Sequence, residues 1–283
     1  MNSKLLFSIL LLSFASLRVH AQTYEQLVAQ GTAAARQDSL ERAVSLYKQA
    51  LKLSPKDYRN ALLFTDLGRV QEALYWQNVR EKKWADEAIE SYTLALGLAP
   101  SSVPMLMARG LFYLRLGFWT KAAYDLSAVL DVNPLNHQAR NYRAYCLAQN
   151  RDYAAAGADY AYILKRDAKN YDALLGLAIL SQTEGNVNKG IEHMTDLISV
   201  YPDSAELYSV RSSMYAENKQ PELALLDLDK AVQMAPRNTN FILARAYLRK
   251  QQGNRSLALK DFEQAIALGI PRASLLKDMK ECR

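Results

Sequence analysis

The chain has 283 residues, of which 50% are hydrophobic and 23% charged, and this composition excludes a largely disordered protein. Its 11 Gly and 8 Pro are too few to separate many short strands, so a helical fold is favoured. The formal net charge of +6 is not gathered into any long Lys/Arg block, which argues against a nucleic-acid partner.

The N-terminal residues predict an export signal. Lys4 precedes an apolar run over residues 5–14, and residues 19–21 provide a small-x-Ala cleavage pattern. The run is shorter than the roughly 20 apolar residues that a membrane-spanning helix requires. We therefore expect residues 1–21 to be a signal peptide that is cleaved after Ala21. The mature chain is expected in the periplasm or outside the cell, without insertion into a membrane.

After this segment the sequence repeats with a period of 34 residues. Small residues recur at that period, and an aliphatic residue follows each of them by eight positions, which places both on one helical face. The small residues are Ala88, Ala122, Ala156, Gly190, Ala224 and Ala258. A Pro follows most of them by about twelve residues, where it ends the helix. Each repeat is therefore predicted to be a hairpin of two helices.

Seven repeats are predicted in chain order. The second is longer than the others, because 45 positions separate its small residue Ala88 from Ala43. Its two tryptophans, Trp76 and Trp84, are expected to pack within this longer pair; the alternative is that they form a projecting binding feature. The repeats form a solenoid over residues 22–272, and a capping helix follows over residues 273–283. The repeats cover residues 24–57, 61–102, 103–136, 137–170, 171–204, 205–238 and 239–272.

The combined pattern resembles the tetratricopeptide repeat, whose unit has a small residue in the first helix, Ala and an aromatic residue in the second, and a closing Pro. The first repeat fits this pattern with Gly31, Ala43, Tyr47, Ala50 and Pro55. The resemblance implies an all-α solenoid, a right-handed superhelix of antiparallel helix hairpins. It also implies that the first helices line a concave groove, which accepts a peptide or a helix of a partner protein. The Lys, Asn and Arg clamp with which some family members grip C-terminal carboxylates has no match here.

The resemblance further implies which side chains face this groove. The family's groove positions are the second, fifth, ninth and twelfth of each unit, and this spacing shares one helical face. In the third to fifth repeats these positions carry an apolar set, which predicts a partner-binding site in the middle of the groove. The predicted site comprises Met107, Leu111, Leu114, Asn141, Tyr145, Leu175 and Ile179. The alternative is that superhelical curvature buries this stripe between neighbouring helices.

A charged pair recurs with the repeat. Arg occupies the seventh position of four repeats, and Asp follows each Arg by 16 residues. Repeats without the Arg also lack the Asp, which favours structural ion pairs between the two helices of a repeat over a row of Arg that binds anions. The predicted pairs are Arg109 with Asp125, Arg143 with Asp159, Arg211 with Asp227, and Arg245 with Asp261.

The sequence contains no pattern typical of an active site. His137 and His193 belong to no H-E-x-x-H arrangement, and neither a G-x-S-x-G nor a P-loop motif occurs. Cys146 falls at a normally small position of a first helix, which predicts a buried structural thiol. We therefore expect no catalytic residue, no metal and no cofactor.

The expected function is that of an exported scaffold or adaptor, which binds a peptide or helix of a partner protein in envelope assembly. One alternative is an enzyme that acts on polysaccharide or peptidoglycan, because carboxylates are plentiful and the sequence does not show which of them face one another. The other alternative is a structural component that associates with itself through the ends of the stack.

Overall fold

The computed structural model describes residues 22–78 and 80–282, in which all regular secondary structure is helical. The predicted signal peptide lies outside these residues. Within the described residues no helix is long and apolar enough to cross a membrane. The prediction of an all-α fold is confirmed. In chain order the described helices are α1 (Tyr24–Arg36), α2 (Leu40–Leu53), α3 (Asn60–Gln77), α4 (Lys82–Leu98), α5 (Val103–Arg115), α6 (Trp119–Val132), α7 (His137–Gln149), α8 (Tyr153–Leu164), α9 (Tyr171–Thr183), α10 (Val187–Val200), α11 (Ala205–Glu217), α12 (Pro221–Met234), α13 (Thr239–Gln251), α14 (Arg255–Ala267) and α15 (Arg272–Glu281).

Short polar side chains fix where several helices begin. An N-cap side chain accepts a hydrogen bond from the backbone N–H three positions later, which satisfies one of the free donors of the first turn. This contact is made by Asn136, Asp152, Asn170 and Asn186. At α1, Thr23 and Gln26 form a reciprocal capping box. The starts of these helices are therefore encoded locally.

The turn inside each hairpin contains one residue with positive φ, and in the last five hairpins these residues are 34 positions apart. They are Gly117, Arg151, Gly185, Lys219 and Gly253, with φ between 57° and 84°. The N–H of the next residue donates to the carbonyl five positions earlier, the bond that ends a helix in a Schellman motif. Three of the five turns therefore use glycine, which adopts positive φ without steric cost, whereas the other two place Arg or Lys in this conformation.

The chain divides into two compact units, with the division between Phe112 and Tyr113 in α5. In the first unit, buried apolar residues of α1 to α3 form a continuous core that includes Leu27, Tyr47 and Leu74. Phe112 is fully buried, with its ring centroid 6.1 Å from that of Tyr92. The first unit is therefore a packed stack of helix pairs.

The longer second repeat extends both of its helices. α3 and α4 have 18 and 17 residues, whereas the helices from α5 to α14 have 12 to 14. The Trp84 side chain packs against the core of the first unit. Trp76 remains 37% exposed, with its ring 4.9 Å from that of Tyr75. The two tryptophans therefore differ, because only Trp84 turns toward the core.

The second unit contains the helix pairs up to α14 and ends with α15. Leu275 and Met279 of α15 are buried against residues of α13 and α14, whereas Leu276 is 44% exposed. Lys250 of α13 donates to Asp278 of α15 at 2.7 Å. This last helix therefore covers the apolar face of the hairpin before it, as the ends of a repeat stack require.

Candidate functional site

A cavity of about 320 Å³ opens on the first-helix face of the second unit. Its walls come mainly from α7 and α9, the first helices of consecutive hairpins, and we call it the groove cavity. Its lining residues are Leu114, Asn141, Tyr142, Tyr145, Tyr160, Asp172, Leu175, Gly176 and Ile179. A volume of this order is that of a small ligand site.

Helical spacing explains why these side chains meet. Asn141 and Tyr145 are four residues apart on α7, and Leu175 and Ile179 are four apart on α9, so each pair lies on one face of its helix. Tyr145 and Ile179 are 42% and 44% exposed. Large apolar side chains on the stacked face of a hairpin would be buried, so these two lie on a face that the neighbouring helices leave open.

Five of the seven residues predicted for the groove line this cavity: Leu114, Asn141, Tyr145, Leu175 and Ile179. The other two, Met107 and Leu111, are half-buried residues of α5 in the first compact unit.

The sequence prediction did not name four of the lining residues: Tyr142, Tyr160, Asp172 and Gly176. Asp172 occupies the second position of its repeat, so the same spacing rule could have found it. Tyr160 belongs to α8, a second helix, and a rule limited to first helices excludes it.

Tyr160 reaches the cavity because the facing residue of α9 is glycine. A Cβ atom placed on Gly176 would lie 2.4 Å from Cζ of Tyr160, a distance at which one of them would have to move. Tyr160 is only 4% exposed, and burial, assisted by the charge of Asp159, raises the pKa of its hydroxyl to about 12. Its side chain is therefore a neutral phenol at physiological pH.

Three of the four predicted charge pairs are visible within the second unit. The Nη2 atoms of the three arginines lie 2.7 to 2.8 Å from an oxygen of the Asp that follows by 16 residues. The pairs are Arg143 with Asp159, Arg211 with Asp227, and Arg245 with Asp261. In the fourth predicted pair, Asp125 is buried in the second unit, and Arg109 of the first unit donates to Thr93 at 3.1 Å.

Each of these arginines also bonds to the preceding repeat. Its Nη1 atom donates to a side-chain oxygen 16 residues earlier, on the second helix of the hairpin before it. The four acceptors are Thr93 for Arg109, Ser127 for Arg143, Thr195 for Arg211, and Asp229 for Arg245. The guanidinium groups therefore tie consecutive repeats together, and this use argues against a row of free anion-binding sites.

The second and fifth repeats, which lack the arginine, make a neutral link between their helices instead. Leu67 and Leu177 stand at the arginine position of these two repeats. Gln71 and Ser181, each four residues later on the same helix, make the contact with the second helix of the repeat. Ser91 donates to Gln71 at 2.7 Å, and the Ser181 hydroxyl lies 3.2 Å from Nδ1 of His193. The polar contact between the two helices is thus kept while the charges are removed.

Two observations concern metal binding and thiol chemistry in the described part of the chain. There, no group of three or more His, Cys, Asp or Glu residues could hold a metal ion. Cys146 is fully buried, and burial raises the pKa of its thiol to about 12. At neutral pH this cysteine is therefore a protonated packing residue and a poor nucleophile.

Comparison with known proteins gives one family. Two models described as tetratricopeptide repeat match residues 107–173 and 147–214, a region that includes the groove cavity. A FAM10 family protein of Arabidopsis thaliana is 33% identical over 90 residues, which are 32% of this chain and 20% of that protein. A tetratricopeptide repeat and J domain-containing co-chaperone, DNJ1 of Cryptococcus neoformans, is 25% identical over 191 residues, 64% of this chain and 35% of its own. The chain thus spans a minor part of both relatives.

Among solved structures, a tetratricopeptide repeat protein from Parabacteroides merdae superposes with a TM-score of 0.70 at 27% identity. The match covers 92% of this chain and 98% of the other. The likeness therefore extends along nearly the whole chain and is not confined to the middle repeats.

Proposed function

Because this chain is a tetratricopeptide repeat protein, we propose that it is an exported, non-enzymatic adaptor that binds a segment of a partner protein in the groove cavity. Proteins of this family generally bind protein partners, and their fold is typical of scaffolds without catalytic activity. The observation that carries the proposal is the groove cavity itself. Tyr145 and Ile179 leave apolar surface open there, on the helix face with which repeat stacks of this kind form binding surfaces.

Two further features support a binding role. The arginines that could have formed a separate anion site are engaged between repeats, so the first-helix face is left as the candidate surface. An aromatic anchor such as Tyr145, half-exposed at the mouth of an apolar cavity, is also the type of residue that often dominates the affinity of an interface.

Export is the second part of the proposal, and it is supported by the apolar run over residues 5–14 and by the small residues before Gln22. The expected mature protein begins at Gln22 and is released by osmotic shock. Intact-mass measurement of the released protein tests this. A mass that includes the residues before Gln22, with the protein in the membrane pellet, would contradict export as a cleaved chain.

Binding is tested by placing the photo-crosslinking residue p-benzoylphenylalanine at Tyr145 in the full chain. The probe is a phage-displayed library of random peptides. Tyr124 of α6, which is 74% exposed and does not line the groove cavity, is the matched control position. We expect peptide adducts at Tyr145 and none at Tyr124, and Ile179→Asp should remove them without lowering the melting temperature. Equal labelling at both positions would refute the proposed site, and so would a loss of adducts that only follows a loss of folded protein.

A further inference from the structure

Among the described residues, Tyr160 is one of three tyrosines that pack over a helical glycine, and its hydroxyl differs from the other two. Tyr47 lies over Gly31 and Tyr92 over Gly68, where a Cβ atom would come within 2.5 and 2.8 Å of the ring. The Tyr47 hydroxyl is 3.1 Å from Oγ1 of Thr32. The Tyr92 hydroxyl donates to Glu72 at 2.9 Å. Both hydroxyls are therefore satisfied inside the protein.

The Tyr160 hydroxyl has no hydrogen-bond partner among the described residues, although the residue as a whole is only 4% exposed. It lies instead in the lining of the groove cavity, beside the open backbone of Gly176. Among the described residues, Nε of Arg140 is the only fully buried side-chain nitrogen or oxygen atom without a partner, so the Tyr160 hydroxyl oxygen is accessible from the cavity. A ligand that fills the cavity would bury this hydroxyl, and a buried donor needs an acceptor, which the ligand would then supply. A glycine inside a helix is less stable than Ala at the same position, and here it opens the path to that donor.

The other residues that line the groove cavity indicate the chemistry of the ligand that carries this acceptor. Leu114, Leu175 and Ile179 supply aliphatic surface, and most of the exposed lining of the cavity is apolar. Asn141 adds an amide that makes no hydrogen bond with a described residue. Asp172, exposed on the first turn of α9, is the only charged residue in the lining. An aliphatic group, a carbonyl oxygen and a nearby cation complement these three features.

We infer that the groove cavity is a subsite for a peptide in which an aliphatic side chain lies next to a Lys or Arg, with Tyr160 donating to a backbone carbonyl oxygen of that peptide. The aliphatic side chain fills the space between Tyr145 and Ile179, and the basic side chain lies toward Asp172. This inference rests on the proposed function, because it specifies which peptide the proposed site selects.

The test measures binding of positional-scanning peptide libraries to the full chain. One library position is fixed as Leu, Ser or Asp, and its neighbour as Lys, Ala or Glu. We expect the Leu–Lys pool to bind most tightly. Tyr160→Phe should weaken that binding by about threefold to tenfold, the effect of one lost hydrogen bond. Asp172→Lys should reverse the preference between Lys and Glu.

The matched control is Tyr92→Phe, which removes the same atom from a hydroxyl that bonds to Glu72. Since the Tyr160 hydroxyl has no internal partner, Tyr160→Phe should leave the melting temperature unchanged or raise it. Tyr92→Phe should lower the melting temperature and leave peptide binding unchanged. The two variants therefore separate a ligand-binding hydroxyl from a structural one.

The outcomes distinguish this inference from the proposed function. If Ile179→Asp abolishes peptide binding while Tyr160→Phe does not weaken it, the site stands and the subsite inference is wrong. The inference also fails if Tyr160→Phe destabilises the protein as much as Tyr92→Phe does. If no library pool binds the folded chain, both the inference and the proposed function are refuted.

Discussion

The guanidinium of Arg211 is held by two hydrogen bonds of 2.8 Å to the carboxylate of Asp227, and both side chains are largely buried. Removal of one partner leaves the other charge buried without compensation. We expect Asp227→Ala to cost about 3 kcal/mol of unfolding free energy, and the double variant with Arg211→Ala to show a coupling of about 1–3 kcal/mol. Urea unfolding of the four proteins measures this, and additive effects would contradict the pairing.

Arg211 is the right arginine for this experiment because its carboxylate partner is single. Arg245 bonds to both Asp261 and Asp229, and Arg249 bonds to the same two carboxylates. A double-mutant cycle on Arg245 would therefore measure several ion pairs at once. Thr195→Val is the companion variant, since it removes only the bond from Arg211 to the preceding repeat.

The buried thiol of Cys146 predicts that the stability of the fold decreases at alkaline pH. Its pKa is raised by burial to about 12, whereas an unfolded thiol ionises near pH 8.5. A group whose folded pKa is raised contributes stability fully below its unfolded pKa and loses it as pH rises toward the folded pKa. We expect the unfolding free energy to fall between about pH 9 and pH 11, and to fall less steeply in Cys146→Ala.

The control for this pH experiment is to place Cys282→Ala in both proteins, so that one thiol titrates in one of them and none in the other. Only the slope of stability against pH is compared, because truncation at a fully buried site also changes stability at every pH. Parallel curves for the two proteins would contradict the assignment of the alkaline loss to Cys146.

At the residue scale, the repeat period predicts a contact when both of its residues recur with the repeat. A spacing of 16 between Arg143 and Asp159 is visible in the sequence because both residues recur with the repeat. The second bond of the same Arg, to Ser127, is hidden because its acceptor varies among Thr, Ser and Asp. Tyr160 was missed because its role depends on the absence of a side chain at Gly176, which is a matter of packing.

At the scale of the helical element, the hairpin turns offer a direct test of backbone strain. Arg151 and Lys219 have φ of 64° and 57° at the position where Gly117, Gly185 and Gly253 stand in other repeats. We expect Arg151→Gly and Lys219→Gly each to raise the unfolding free energy by about 0.5–1 kcal/mol, the relief of strain exceeding the entropy that glycine adds to the unfolded chain. Chemical denaturation measures both.

The reverse substitution is the control for these turns. Gly185 and Gly253 have no atom within 4 Å of an added Cβ, so any change there reports the backbone conformation alone. Gly185→Ala should therefore destabilise the protein by about 1 kcal/mol. If Gly185→Ala is neutral, φ at this turn does not control stability, and the expectation for Arg151 fails with it.

The helix pairs were predictable from sequence because small residues, apolar spacing and turn residues all agree on one period. The lengths of the two helices in the second repeat were less predictable from the sequence. The spacing between Ala43 and Ala88 shows that residues are added, yet it does not show whether they extend the helices or form a loop. Packing decides this, since Trp84 turns into the core of the first unit as the helices lengthen.

At the scale of the whole molecule, a stack of hairpins distributes its stability along the chain. In repeat proteins each unit is stabilised by its own contacts and by those with its neighbours in sequence. The apolar clusters follow this rule here: one comprises residues of α1 to α4, and another mainly residues of α13 to α15. A perturbation in one cluster is therefore expected to remain near it.

Hydrogen exchange tests this expectation with two matched truncations. Leu74 of α3 and Ile242 of α13 are both fully buried, and replacement of either by Ala should cost about 2–5 kcal/mol. We expect Leu74→Ala to speed exchange in α1 to α4 and to leave α13 to α15 near wild-type rates, because opening of one group of repeats does not require opening of the distant one. Ile242→Ala should give the opposite pattern. Equal acceleration along the chain in both variants would mean that all the repeats unfold together, as in a domain with one central core.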